Sequence, residues 1–423
     1  MSRNESSKPV LNLDKEFNLT ESKSFCILPW IHVHSSPRGN SGPCCISKSC
    51  ASENGMGNTK TKSIYEIVNS PEMNKLRLDM LSNVLNEECM VCHMHEQQLA
   101  RSSRQQKNKI LSEFYDESIR NTNSDGSLQE FKMRYFDIRI SNICNFKCRT
   151  CNSVFSSQWE QEDLKNIDNA VVFTKNNNRL LNEILHQVPN IKEAYFAGGE
   201  PLITDEHYII LEEMIRLDVA KEITLSYNTN ASALKYKNKD LISLWKYFSK
   251  GVKVSASIDH YGERAEYIRH GTDWGKVESN IKILRSIPNI EFNMNTVLSV
   301  FNCLTLSDFY EYLIKNNLYN SKNRIYSIYN MISPDYLSCH ILPKEYKTKS
   351  LNDLNKTKFL LMKNGFTGEK LSPIENSINW VNLYDTWDSQ KELFKKEINR
   401  IDAIRNEDFK KTFPELEKLL DIE

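Results

Sequence analysis

DIRISNICNFKCRTC, residues 137–151, places three cysteines in CxxxCxxC spacing directly after an alternating apolar run. The run YFDIRIS (135–141) predicts a β-strand, so Cys144, Cys148 and Cys151 fall in the loop that leaves it. Thiolates suit iron–sulfur clusters, and three protein ligands leave one iron of a [4Fe–4S] cluster open to an exogenous ligand. A structural zinc that borrows a fourth ligand fits the same spacing. Position bears on the choice: loops after the C-terminal ends of strands build the active site of a β/α barrel, and this loop follows the first strand of a series.

The series continues through EAYFAGG (193–199), EITLSYNT (222–229), VKVSASID (252–259), IEFNMNTVLS (290–299) and RIYSIYNMIS (324–333). Amphipathic segments near residues 178–188, 205–218, 238–249, 274–287 and 304–317 lie between them, long enough for right-handed crossovers to parallel strands. Six such units predict an α/β fold, a partial (β/α)6 TIM-like barrel, over 131–340. A helical extension rich in Lys, Glu and Leu follows over 341–423, with Trp380, Trp387 and Phe394 as packing residues and no chemistry of its own. Upstream, 1–20 reads as a flexible terminus, 21–100 as a small cysteine-rich module and 101–130 as a helical linker ending in a turn cluster. The Asn/Lys-rich KNNNR at 175–179 reads as a surface loop.

Composition narrows the function classes. The 423 residues carry 55 basic and 55 acidic side chains, so no bulk field points to nucleic acid or membrane. The N-terminus is polar and no run of about 18 apolar residues occurs, which predicts neither signal peptide nor membrane span and a cytoplasmic protein. Eleven cysteines in such a chain favour metal over disulfides. They fall into two groups: Cys26, Cys44, Cys45, Cys50, Cys89 and Cys92 near the start, then the 144–151 triad. Cys303 and Cys339 stand apart as buried thiols.

Other strand ends add polar groups. AYFAGGEPLI (194–203) sets Gly198, Gly199, Glu200 and Pro201 where glycines let backbone approach a ligand closely. LSYNTNAS offers Ser226, Asn228 and Asn230. SASIDHYGERAEYIRHG offers Ser255, Ser257, Asp259 and, further on, Arg269, whose planar fork suits a carboxylate.

Over roughly 132–335 these motifs resemble the radical S-adenosylmethionine (SAM) superfamily. The resemblance implies that Cys144, Cys148 and Cys151 hold the catalytic [4Fe–4S] cluster and that SAM chelates its open iron. GGEP would hold the methionine ammonium, Arg269 the SAM carboxylate, and Asn302 would lie near the adenosine. Departures are His260, where the family's SxDG stretch has Gly, and Thr150, where many members place an aromatic residue. CILPWIHVHSSPRGNSGPCC (26–45), SIYEIVNSPEMNKLR (63–77) and EECMVC (87–92) resemble a SPASM/twitch auxiliary-cluster module, here ahead of the barrel. That implies a second [4Fe–4S] cluster on Cys26, Cys44 or Cys45, Cys89 and Cys92, with zinc on the same sulfurs as the competitor. His32, His34, His93 and His95 read as packing or surface residues and Cys50 as a loop thiol.

The family's chemistry is reductive cleavage of SAM to a 5′-deoxyadenosyl radical that abstracts a substrate hydrogen. It implies a low-potential electron donor such as flavodoxin or ferredoxin. A peptide or protein substrate is the preferred reading. A small molecule is the alternative, and a non-catalytic iron–sulfur or zinc protein a further one.

Overall fold

The computed structural model of the protein describes residues 22–52, 55–97, 102–164, 178–321 and 327–422. The terminus at 1–20, most of the KNNNR tract and the first residues of the sixth run lie outside the described residues.

Six strands make one sheet: β1 (Tyr135–Phe136), β2 (Glu193–Phe196), β3 (Thr224–Thr229), β4 (Val252–Ser257), β5 (Ile290–Leu298) and β6 (Ser327–Asn330). They hydrogen-bond in chain order, β1 to β6, as a curled parallel half-barrel. Consecutive parallel strands need crossovers, and helices Asn178–Gln187, Asp205–Arg216, Leu241–Trp245, Trp274–Ser286 and Leu306–Lys315 supply them. Alternation sets the two faces. Ala194 and Phe196 of β2 are buried while Glu193 and Tyr195 are half-buried, and Val252, Val254 and Ala256 alternate likewise with Lys253, Ser255 and Ser257.

The chain divides into two compact units. One holds the described residues of Met1–Asn142, Val171–Leu225 and Lys246–Lys250, the other those of Ile143–Ala170, Ser226–Trp245 and Gly251–Glu423.

In the first unit the cysteine-rich segment folds around carbonyl-satisfied arginines. Arg77 is fully buried, donating from Nε to Pro29 O (2.9 Å), from Nη1 to Gly126 O (3.0 Å) and from Nη2 to Val68 O (2.6 Å). Helix Ser103–Ile110 is knit to the same segment. Arg104 Nη1 donates to Ser22 O and Phe25 O (2.9 and 2.7 Å), and Asn108 Oδ1 accepts from Ile27 N (2.9 Å).

In the second unit the C-terminal extension forms helices Lys344–Lys363, Ser372–Val381 and Trp387–Arg405. The last one stops at Asn406, which adopts the left-handed conformation (φ 52°) that ends many helices and turns the chain back.

Two buried histidines set an acid limit. Burial lowers His207 to about 3, and burial with the nearby Arg264 charge lowers His260 to about 3. His260 is hydrogen-bonded as a neutral ring: Nδ1 accepts from Tyr261 N (3.0 Å) and Nε2 faces Thr305 Oγ1 (3.2 Å). The unfolded chain binds these protons below its ordinary value of about 6.5 and the fold does not, so stability is complete above that pH and falls as pH drops towards 3. Each ring contributes at most about 1.4 kcal/mol per pH unit, so the urea midpoint is expected to fall between pH 7 and 5 by the equivalent of about 4 kcal/mol for the pair. The same series on His207→Leu/His260→Leu checks this, and an equally steep decline in that variant refutes the assignment.

Candidate active site

The cysteine loop of the second unit is pinned at every turn. Ser157 Oγ accepts from Cys144 N (3.2 Å), Ser156 Oγ donates to Phe146 O (2.6 Å), and Trp159 Nε1 donates to Cys148 O (2.7 Å). Asn145 joins Ser232 and Asn230 through its side-chain amide, both at 2.9 Å. Cys148 is buried and Cys144 and Cys151 are partly exposed. Burial pushes the Cys148 thiol up and, with the neighbouring Cys148 charge, pushes Cys151 up to about 12. Such thiols stay protonated until a metal displaces the proton, which is how a cysteine site behaves before loading.

Arg269 comes to this loop through a two-residue antiparallel ladder, Arg269 opposite Cys148 and His270 opposite Lys147. Its Nη1 lies 3.8 Å from Cys148 Sγ, and its Nε pairs with Asp259 Oδ2 at 2.9 Å. Asp259 is 1% exposed and also accepts from Val297 N (2.8 Å), so it orients Arg269 from beneath. Gly271 follows at φ +105°. A β-carbon there would stand 2.8 Å from Asn145 O, so only glycine lets this segment lie against the cysteine loop.

Ser226 and Asn228 of β3, Ser255 and Ser257 of β4, and Asn293 and Asn295 of β5 alternate with buried apolar residues. Ser257 registers with Asn295, whose Nδ2 donates to Asn228 Oδ1 (3.1 Å). Asn302 has another role. Fully buried, it donates to Asp259 O (3.0 Å) and Val297 O (2.9 Å) and accepts from Ser299 N (2.9 Å), so its amide braces the strand ends instead of facing an adenosine.

In the first unit, Gly198 sits at φ +127° with its α-carbon against Arg139; an added β-carbon would meet Arg139 Cδ at 3.3 Å. Gly199 and Pro201 line a small recess with Phe136 and His207, and Glu200, 1% exposed, accepts from Leu202 N (3.1 Å).

The auxiliary cysteines separate by direction. Burial pushes Cys26 up to about 12 and raises Cys44, Cys89 and Cys92. Cys26 feels the charge of Cys92, Cys44 that of Cys45, Cys26 and Cys89, and Cys89 that of Cys26 and Cys92. Cys45 instead faces Asp137 and Arg139. Among the described residues no three cysteine sulfurs lie within 4.8 Å of one another. Four sulfurs on one zinc, at a Zn–S distance of about 2.3 Å, would stand about 3.8 Å apart.

Residues 138–310 match the family model of the Radical SAM superfamily. The chain carries a Radical SAM superfamily domain. Residues 26–93 match SPASM, an iron–sulfur cluster-binding domain, so the chain carries an auxiliary iron–sulfur module ahead of its Radical SAM domain. Its cofactors are SAM, the [4Fe–4S] cluster of the barrel and auxiliary iron–sulfur. No curated protein matches it. Similar solved structures include anSMEcpe with bound AdoMet, 20% identical over 54% of this chain and 58% of that one, TM-score 0.36. Streptococcus suis SuiB bound to precursor peptide SuiA is 14% identical over 72% and 65%, TM-score 0.35. TYW1 with a lysine-pyruvate adduct bound is 13% identical over 52% and 70%, TM-score 0.31. The chain spans 56% to 62% of the length of the anSMEcpe structures it matches.

Sequence reasoning missed the residues that hold the radical SAM loop from the C-terminal side. Arg149, between two of the cysteines, is 1% exposed and ion-paired to Asp402 and Glu407, and His270 Nδ1 meets Glu407 Oε1 at 2.6 Å. Arg405, also buried, pairs with Glu162 at 2.9 Å, and Lys147 pairs with the same carboxylate. Among the described residues no helix is long and apolar enough to cross a membrane.

Proposed function

We propose that Cys144, Cys148 and Cys151 hold the catalytic cluster and that Arg269 takes the SAM carboxylate beside it. The observation that carries this reading is the Cys148–Arg269–Asp259 arrangement. A buried carboxylate fixes a guanidinium 3.8 Å from a cluster thiol, where a carboxylate bound at the open iron would meet it. Bound there, the cluster supplies one electron for cleavage of SAM to methionine and a 5′-deoxyadenosyl radical. The protein's part is to position and exclude. Ser226, Asn228 and Ser257 supply polar contacts from one face of the sheet, and the buried strand ends behind them keep that face fixed.

The auxiliary cluster is assigned to Cys26, Cys44, Cys89 and Cys92. Four protein sulfurs leave no open iron and favour an electron-relay role. The substrate class we infer is a peptide or protein side chain. The SPASM module supports it. A low-potential donor such as flavodoxin or ferredoxin would deliver the electron.

Anaerobically reconstituted protein with dithionite and SAM is expected to release 5′-deoxyadenosine, and Cys144→Ala/Cys148→Ala/Cys151→Ala is expected to release none. Absence of product from fully iron-loaded, SAM-binding wild type overturns the proposal. Incubation with a deuterated cell extract reads the substrate class: label in 5′-deoxyadenosine is expected from the macromolecular fraction, and label from the dialysable fraction alone assigns a small molecule.

A further inference from the structure

One buried constellation in the first unit belongs to neither cysteine group. The segment Ile31–Ser35 runs beside the strand that begins with β1: Arg134 N donates to Ile31 O (2.9 Å), Arg139 N to Ser35 O (2.8 Å), and Ser35 bridges in parallel to Ile138. Alternation then puts His32 and His34 of one strand on the same face as Tyr135, Asp137 and Arg139 of the other.

Both imidazoles are held as metal-binding histidines are. His32 Nδ1 lies 3.0 Å from Tyr135 O and His34 Nδ1 lies 2.8 Å from Asp137 O. A carbonyl can only accept, so each Nδ1 carries the proton and each Nε2 keeps its lone pair. His32 is fully buried, yet its Nε2 has no partner. A lone pair facing protein with nothing to accept is unusual in a folded interior and marks a place where something binds.

Asp137 completes the set. It is 1% exposed. Its Oδ1 is held by Arg139 Nε at 2.7 Å, while Oδ2 turns towards His34, 3.4 Å from Nδ1. Burial opposes its charge, but Arg139 and His34 outweigh it and keep the carboxyl ionised. Ligand-capable atoms of His32, His34 and Asp137 all lie within 4.8 Å of one another. Cys45, the thiol left out of the sulfur quartet, is close enough to Asp137 to feel its charge and is exposed, so it offers a fourth donor and a way in from solvent.

We propose that His32, His34, Asp137 and Cys45 form a closed zinc-class site, distinct from both iron–sulfur centres, that ties the auxiliary module to the first barrel strand. Two nitrogens and one oxygen at a single-ion separation, with a thiol near the carboxylate, are a zinc donor set. Binding expels one proton, from Cys45, and changes no oxidation state. Arg139 keeps its bond to Asp137 and acts as the outer partner that a ligating carboxylate usually has.

The test uses the full, cluster-loaded chain and does not depend on turnover. Cobalt(II) is titrated after mild chelation. One equivalent is expected to bind with tetrahedral visible bands and a sulfur-to-cobalt charge-transfer band. Cys45→Ser is expected to keep the visible bands and lose the charge-transfer band, and His32→Gln/His34→Gln to lose both with iron content unchanged. As purified from zinc-replete medium, wild type should hold one zinc and the histidine variant none. Should the histidine variant misfold, Asp137→Asn read by the same titration carries the decision. A wild type that holds no zinc and takes no cobalt, or a histidine variant that binds as wild type does, overturns the site; 5′-deoxyadenosine formation separates that failure from a failure of the radical assignment.

Discussion

Asp402→Ala/Glu407→Ala is expected to destabilise the second unit by about 3–5 kcal/mol, the usual cost of stripping partners from a buried charge. It should also lower both iron loading and SAM cleavage. The cause lies in Arg149. Its guanidinium sits 3.7 Å over the Tyr267 ring, and Nη2 donates to both carboxylates. Tyr267 Oη in turn donates to Asp402 Oδ1 at 2.7 Å. Burial opposes the charge on Glu407, but His270 and Arg149 outweigh it and hold the carboxyl below its usual range. The backbone follows the side chain: Arg149 N donates to Ile268 O (2.8 Å), next to the ladder that sets Arg269 opposite Cys148. Removing the acids leaves an unpaired cation between Cys148 and Cys151. A charge-only variant, Asp402→Asn/Glu407→Gln, should lose most of the stability while keeping the volume. Urea unfolding, iron per chain and 5′-deoxyadenosine yield are the readouts. Wild-type iron loading in the alanine variant would show that the C-terminal segment merely covers the loop.

That dependence explains what could and could not be read from the chain. All six strands were legible because two-residue alternation and crossover length are local properties. Only their ends were overdrawn, as where YFDIRIS pairs in the sheet at Tyr135–Phe136 alone. The cysteine loop was legible because ligand spacing is also local. Arg149, 253 positions from Asp402, was not, since nothing near it distinguishes a buried cation from a surface one. Residues 341–423 looked inert for the same reason. Asn302 misled because a polar residue at a strand end looks alike whether it faces a ligand or binds backbone. His32 and His34 read as packing residues because their partner Asp137 lies a hundred positions on, on the neighbouring strand.

Adjacent cysteines are the sharpest case. Cys44→Ala is expected to reduce iron from about eight to about four atoms per chain, the content of one [4Fe–4S] cluster, while Cys45→Ala leaves iron unchanged. In the proposed ligand set, one step along the backbone decides which thiol enters the quartet. The turn fixes that step: Cys44 O accepts from Ser47 N (3.2 Å), Ser47 Oγ (2.8 Å) and Cys50 Sγ (3.2 Å). With the carbonyl so held, Cys44 feels the charges of Cys45, Cys26 and Cys89, while Cys45 feels those of Asp137 and Arg139. Cys50, engaged with the Cys44 carbonyl, is expected to behave as Cys45 does. Iron analysis and the visible absorbance of reconstituted variants read the outcome directly. Equal iron loss in Cys44→Ala and Cys45→Ala would mean that the turn rearranges on loading and that the direction of a thiol in this fold does not select the ligand.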